Sequence, residues 1–143
     1  MDKLQEGRAF MAARCKAIAD EEVPNGWTVE YRRSLSGRCF PKQKRICAPE
    51  PKTRKSLYIF LHEVAHAVLH ADGRRKPRYI EEYEAEMFAH TKMHEHGLSV
   101  PADMTARAKK YVARKIEQAR KRGLKAAVDP QIEEFARPKE EMS

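Results

Sequence analysis

The segment His62-Glu63-Val64-Ala65-His66 contains residue types at a spacing that suits the binding of a metal ion. Successive residues of an α-helix are rotated by about 100°, so two histidines four positions apart can reach the same ion. Glu63 lies on the neighbouring strip, where its carboxylate can hold and deprotonate a water molecule without binding the metal. The pattern therefore predicts zinc-assisted hydrolysis, with His62 and His66 as ligands and Glu63 as the general base.

The helix that carries this segment, predicted over residues 56–71, must be buried because apolar residues surround most of its circumference. These residues are Leu57, Phe60, Leu61, Val64, Ala65, Val68 and Leu69. The polar strip from His62 to His70 is costly to bury unless something satisfies it, and a bound cation would do so. His70 is excluded as a ligand in an unbroken helix, since it lies about 12 Å from His62 along the axis. We expect its ring to pair with a carbonyl group or with solvent.

A catalytic zinc normally has three protein ligands and an open position, so a third donor must come from elsewhere in the chain. A second helix, predicted from about Ile80 to His96, offers four glutamates: Glu81, Glu82, Glu84 and Glu86. Spacing alone does not choose among them. Glu82 and Glu86 share a helix face, so one can bind the metal while the other hydrogen-bonds a ligand histidine.

The chain resembles the ImmA/IrrE group of gluzincin-type metallopeptidases over about residues 27–100. The resemblance rests on Leu61-His62-Glu63-Val64-Ala65-His66-Ala67-Val68-Leu69-His70 and on Glu82-Tyr83-Glu84-Ala85-Glu86-Met87-Phe88-Ala89. In that group the second motif reads Glu-x-x-Ala-Asn or Glu-x-x-Ala-Asp, and its first glutamate is the third zinc ligand, which makes Glu82 the ligand here. Glu86 departs from the group, because it stands where the motif has asparagine or aspartate.

The resemblance further implies a small zincin-like α+β domain that holds one zinc ion per chain and acts on a protein or peptide substrate. A strand edge within Arg38 to Ala48 would receive the substrate as an added strand. The candidates for stabilising the oxyanion are Tyr79, Tyr83, His90 and His94.

The periodicity of the chain predicts one α+β domain over residues 1–136. It consists of an amphipathic N-terminal helix (1–22), a core with a short mixed or antiparallel sheet packed on the active-site helix (27–100), and further C-terminal helices (101–136). Trp27, Val29 and Tyr31 alternate with polar residues, which predicts a half-buried strand, and Pro41 confines the next strand to an edge or a bulge. Residues 137–143 are expected to be disordered.

The composition points to a cytoplasmic protein. The first residues show no basic region followed by an apolar run, and nowhere do eighteen apolar residues occur together, so neither secretion nor a membrane partner is expected. Cys15, Cys39 and Cys47 lack the C-x-x-C spacing and suit a reducing compartment, which argues against a bridge between Cys39 and Cys47. Nothing in the sequence indicates an oligomeric state.

Two other functions remain open. The formal net charge of +8, from 29 basic and 21 acidic side chains, allows a nucleic-acid-associated protein similar to SprT-like proteases, with contacts from Lys109 to Lys125. A zincin-like domain can also have lost its activity and regulate a partner by contact. The intact Glu63 counts against that third hypothesis.

Overall fold

The computed structural model describes residues 2–73 and 76–138. Within these ranges the chain folds into five α-helices and three short strands, an α+β arrangement. Their bounds, in chain order, are α1 (Lys3–Glu22), β1 (Thr28–Arg32), β2 (Arg38–Phe40), a 3-10 turn (Pro41–Gln43), β3 (Arg45–Pro49), α2 (Arg54–Leu69), α3 (Arg78–Glu95), α4 (Ala102–Lys121) and α5 (Pro130–Ala136). The predicted disorder of the tail falls, from residue 139 onward, outside the described residues. No helix of the described part is long and apolar enough to cross a membrane.

The sheet is mixed, with β3 in the middle of the order β1-β3-β2. Ile46 of β3 lies opposite Val29 in the parallel pair with β1 and opposite Cys39 in the antiparallel pair with β2. Cys39 and Cys47 stand on neighbouring rungs, so their side chains leave opposite faces of the sheet, and all three cysteines are free. Pro41 follows β2 directly, and within the described residues β2 is an edge strand, as the sequence predicts.

Strand β1 forms where the alternating pattern predicts a strand, but the predicted half-burial is wrong. All five of its residues are exposed, including Val29 and Tyr31. The reason lies in the topology, because helix α2 packs mainly against β3 and β2, and β1 lies at the far edge of the sheet. An alternating pattern predicts a strand but does not say whether a helix covers it.

Helix α2 is the buried centre of the fold. Its start is fixed by a capping box in which the Thr53 side chain accepts a hydrogen bond from the Ser56 N–H and Ser56 accepts one from the Thr53 N–H. The residues predicted to bury its first three turns do so: Leu57, Phe60, Leu61, Val64 and Ala65. The prediction fails in the last turn, where Val68 is 51% and Leu69 is 45% exposed. The packing of other elements against α2 therefore ends one turn before the helix does.

Two apolar clusters hold the helices in place. The larger lies among α1, the sheet, α2 and α3. The smaller joins the start of α3 to α4 and α5 through Tyr79, Val112, Ile116, Val128, Ile132 and Ala136. Helices α3 and α4 are followed by Gly97 and Gly123, whose φ angles of 75° and 87° favour glycine and end the helices as predicted. The packing of α4 on α3 brings one face of α4 beside the histidines of α2.

Candidate metal centre

Helices α2 and α3 run antiparallel, and their facing side chains meet in register. Three pairs of side chains are in contact: Tyr58 with His90, His62 with Glu86, and His66 with Glu82. From one pair to the next, the residue number rises by four in α2 and falls by four in α3. Residues four apart lie one above the other on a helix, so this register follows from two facing strips. The predicted site residues of both helices thus meet at one place.

His62, His66 and Glu82 present three donor atoms that lie within 4.8 Å of one another. His62 Nε2 lies 2.9 Å from Glu82 Oε2 and 3.2 Å from His66 Nε2, and His66 Nε2 lies 3.4 Å from Glu82 Oε2. Two atoms bound about 2.1 Å from a tetrahedral zinc are themselves about 3.4 Å apart. The three donors are therefore spaced much as zinc ligands are, and two imidazoles with a carboxylate form a ligand set that zinc uses.

Glu82 is the most deeply buried acid of the site, at 1% exposure. Its second oxygen, Oε1, accepts no hydrogen bond from any described residue. Arg78 Nη2 lies 3.1 Å from this oxygen but does not aim an N–H at it, so the contact is an ion pair rather than a hydrogen bond. A buried carboxylate is costly unless it is paired, and a cation at the three donors would neutralise it.

Glu86 holds the His62 ring from the side opposite the donor cluster. Glu86 Oε1 lies 2.7 Å from His62 Nδ1, and the other oxygen of Glu86 accepts a hydrogen bond from the Tyr58 hydroxyl. A proton on Nδ1 that is donated to Glu86 leaves the Nε2 lone pair free for a metal, and this is how carboxylates usually orient metal-binding histidines. The contact is the one that the predicted role of Glu86 requires.

His70 contacts another histidine, and the prediction that it pairs with a carbonyl group or solvent is wrong. Its Nδ1 lies 2.9 Å from His66 Nδ1, and its Nε2 lies 2.9 Å from Glu84 Oε1. If His66 donates to His70 and His70 donates to Glu84, the Nε2 lone pair of His66 is free for a metal. The spacing of His62, His66 and His70 by four could have indicated this contact, because it places all three rings on one strip.

The charges of the donor cluster are coupled. Burial disfavours a charged His62, but the hydrogen bonds with Glu82 and Glu86 outweigh it and hold the pKa of His62 well above its usual value. Burial likewise acts to raise the pKa of Glu82, yet its bonds with His62 and His66 hold that pKa far below its usual value. The raised pKa means that His62 holds its second ring proton more tightly than a free imidazole does. A metal must displace that proton, so its affinity falls as the pH is lowered.

Glu63 lies beside the donor cluster without taking part in it. Its side chain is 7% exposed, and no described residue hydrogen-bonds its carboxylate. Burial raises the pKa of Glu63, while His62 and His66 act to lower it. The backbone of Gly37, just before β2, closes over this side chain so tightly that a Cβ built on Gly37 would lie 2.5 Å from Glu63 Cγ. Gly37 was not among the predicted site residues, since no local pattern reveals an approach between a loop and a helix.

The substitution Gly37→Ala is expected to displace Glu63 while the metal ligands stay in place. A contact of 2.5 Å is impossible for a real Cβ, and the side chain of Glu63 is the part that can move. We expect hydrolytic activity to fall by about 10- to 100-fold, in line with the sensitivity of catalysis to small displacements, and zinc content to stay unchanged. The measurement is kcat/KM together with the zinc-to-protein ratio. The matched control is Gly7→Ala in α1, where an added Cβ meets nothing within 4 Å; equal activity of the two variants would contradict the role of Gly37.

A cleft of about 520 Å³ opens in front of the donor cluster, between β2 on one side and the start of α3 on the other. Tyr111 of α4 reaches this cleft, with its ring centroid 6.4 Å from that of His62, and its hydroxyl bonds no described residue. Cys39 also lines the cleft, but burial and the nearby Glu63 raise the pKa of its thiol to about 12. The thiol does not belong to the donor cluster of His62, His66 and Glu82.

None of the four residues considered for the oxyanion lines the cleft, whereas Tyr111 does. Tyr79 and Tyr83 belong to the smaller apolar cluster, away from the cleft, and His90 is held by Tyr58 and by Thr105, whose Oγ1 lies 3.0 Å from His90 Nε2. His94 is exposed and does not line the cleft. Tyr111 was missed because its spacing in α4 places it with the core residues of that helix, and only the packing of α4 turns it toward the site.

The centre as a whole offers two imidazoles and a carboxylate at ligand spacing, an unbonded carboxylate beside them, and an open cleft with a free hydroxyl. These groups can hold a metal ion, deprotonate a water molecule and hydrogen-bond a developing negative charge. Comparisons of this chain with known protein families, curated proteins and solved structures returned no match.

Proposed function

We propose that the protein is a zinc-dependent metallopeptidase that hydrolyses peptide bonds of a protein substrate. The observation that carries this proposal is the donor cluster of His62, His66 and Glu82 with the unbonded Glu63 next to it. A structural zinc site is closed by four protein ligands, whereas a catalytic site has three and an open position. Three donors that face a cleft favour the catalytic kind.

Glu63 acts as the proton carrier of the proposed reaction. When bound, zinc supplies a Lewis acid that lowers the pKa of water and polarises the scissile carbonyl group. Glu63 accepts the proton of the attacking water and passes it to the leaving amine, because its carboxylate follows the ligand His62 directly, lines the cleft and bonds no described residue. Burial raises the pKa of Glu63 above its usual value, which helps a group that must both accept and release a proton.

Tyr111 hydrogen-bonds the oxygen of the scissile carbonyl as negative charge develops on it. Its hydroxyl reaches the cleft and has no partner among the described residues, so it is available to a substrate. Burial, and to a smaller degree the nearby charge of Glu82, raises the pKa of Tyr111, which keeps the hydroxyl protonated as a donor. A positioned donor of this kind typically contributes about 10²- to 10³-fold in kcat.

The substrate lies along β2 as an added strand, which gives the small zincin-like domain its peptide-binding edge. Strand β2 pairs only with β3 among the described residues, and residues 37–40 line the cleft beside Glu63. An exposed strand edge binds an extended peptide through main-chain hydrogen bonds. The scissile bond is thereby carried past the donor cluster.

Metal removal tests this function. The purified protein is expected to carry close to one zinc per chain and to cleave a denatured protein substrate. Treatment with a chelator should abolish cleavage, and one equivalent of zinc should restore it, because the three donors are preformed. Magnesium serves as the control and should not restore activity, since it prefers oxygen ligands and octahedral geometry. A folded, zinc-loaded protein that cleaves no denatured protein and no peptide library would overturn the proposal.

A further inference from the structure

The cleft in front of the donor cluster has a basic rim. Arg38 and Lys42 line one side, Arg78 lines the other, and Arg107 lines a smaller adjoining pocket of about 180 Å³. All four side chains are exposed to solvent. The acids that line the same cleft are Glu63, Glu81 and Glu82, and none of them is more than 7% exposed. The mouth of the cleft is therefore positively charged, while its negative charge lies at the bottom.

The basic side chains on the β2 side of the cleft are available to a ligand. Neither Arg38 nor Lys42 forms an ion pair with any described residue; Arg38 only stacks its guanidinium 5.6 Å from the Phe40 ring centroid. Unpaired charges of one sign along a cleft wall attract ligands of the opposite sign, and Arg78 on the other wall adds a further exposed base although it pairs with Glu82.

We propose that the cleft selects extended protein segments that carry aspartate or glutamate close to the scissile bond. This inference rests on the proposed peptidase function and names its class of substrate. A peptide added along β2 runs between Arg38 and Lys42 on one side and Arg78 on the other, so acidic side chains on either face of it meet a basic group. A peptide is favoured over a nucleic acid because the open edge of β2 offers main-chain hydrogen bonds that only a peptide backbone can match.

Peptide binding to the full-length Glu63→Gln variant, loaded with zinc, tests the preference without cleavage. Three labelled peptides of equal length are compared by fluorescence anisotropy, with glutamate, glutamine or lysine at the variable positions. The glutamate peptide is expected to bind about tenfold more tightly than the glutamine peptide in 0.1 M salt, and the lysine peptide most weakly. The advantage should shrink in 1 M salt, because the Debye length falls from about 10 Å to about 3 Å. Equal binding of the three peptides would overturn the proposal.

Charge reversal at the rim distinguishes the effect of the cleft on peptide binding from the effect of the protein's net charge. The double variant Arg38→Glu, Lys42→Glu is compared with Arg8→Glu, Lys125→Glu, whose side chains are exposed and away from the cleft. Each pair of reversals changes the formal net charge from +8 to +4. The rim variant is expected to lose about tenfold in affinity for the glutamate peptide, and the control variant less than about twofold. Equal losses in both would overturn the proposal.

Two further readouts complete the test. A single-stranded oligonucleotide of the same charge as the glutamate peptide should compete poorly; competition at equal affinity would overturn the peptide preference in favour of nucleic acid. Cleavage of the three peptides by the wild-type protein is measured separately. Equal cleavage of all three would overturn the preference and leave the peptidase intact, whereas tight binding of the glutamate peptide without any cleavage would support the preference and overturn the peptidase.

Discussion

Replacement of Glu63 by glutamine is expected to abolish peptide cleavage while zinc stays bound. Glutamine has nearly the same size, so the close contact with Gly37 is preserved, and Glu63 is not one of the three donors. The amide cannot accept a proton at neutral pH, so the water is no longer deprotonated. A general base contributes about 10²- to 10⁴-fold, and kcat should fall by that amount.

The measurement for Glu63→Gln combines the hydrolysis rate of a quenched fluorescent peptide with the zinc content determined by mass spectrometry. Glu95→Gln is the matched control, since Glu95 is an exposed residue near the end of α3 whose carboxylate pairs only with Lys92 among the described residues. The control should keep both zinc and activity. Activity of Glu63→Gln equal to that of the control would remove Glu63 as the base.

Truncation of Glu82 is expected to have the largest effect on the metal itself. Glu82→Ala removes one of the three donors and, among the described residues, the only carboxylate in contact with both His62 and His66. Loss of a residue that merely orients a ligand lowers metal affinity by about 10- to 100-fold, so loss of a ligand should exceed about 100-fold. Glu86→Gln keeps the three donors and weakens the acceptor for His62 Nδ1. Its loss of zinc affinity should therefore stay within about 10- to 100-fold.

Competition with a chromophoric chelator gives the zinc dissociation constants of these variants. Glu117→Ala on the exposed face of α4 serves as the control, because in the described part of the chain its carboxylate pairs only with Lys121. Circular dichroism of each variant verifies that the fold is retained. Wild-type zinc affinity in a folded Glu82→Ala protein, or a smaller loss than in Glu86→Gln, would contradict the assignment of Glu82 as a ligand.

Much of the helical framework and of the donor cluster could be predicted because both depend on local periodicity. The spacing of four between His62 and His66 holds in any regular helix, and the shared face of Glu82 and Glu86 holds in the next. Helix α2 is buried on nearly all sides over its first three turns, and its apolar content predicts this burial. The choice of Glu82 as ligand depended on family resemblance, and the structure places that residue, not Glu86, at both Nε2 atoms.

Apart from the contact of His66 with His70, the missed contacts join parts of the chain that are remote in sequence. Gly37 meets Glu63 because a loop before β2 folds over α2, and Tyr111 reaches the cleft because α4 packs on α3. The exposure of β1 likewise depends on which strands α2 covers. Such arrangements result from tertiary packing, which local propensity and periodicity do not encode.

Anomalous diffraction at the zinc edge from crystals of the zinc-loaded protein tests the central assignment most directly. The expected result is one strong peak about 2.1 Å from each of His62 Nε2, His66 Nε2 and Glu82 Oε2. The open coordination position of the zinc should face the cleft that Tyr111 lines. No peak at these three atoms in zinc-saturated crystals would contradict the assignment of His62, His66 and Glu82 as the metal centre.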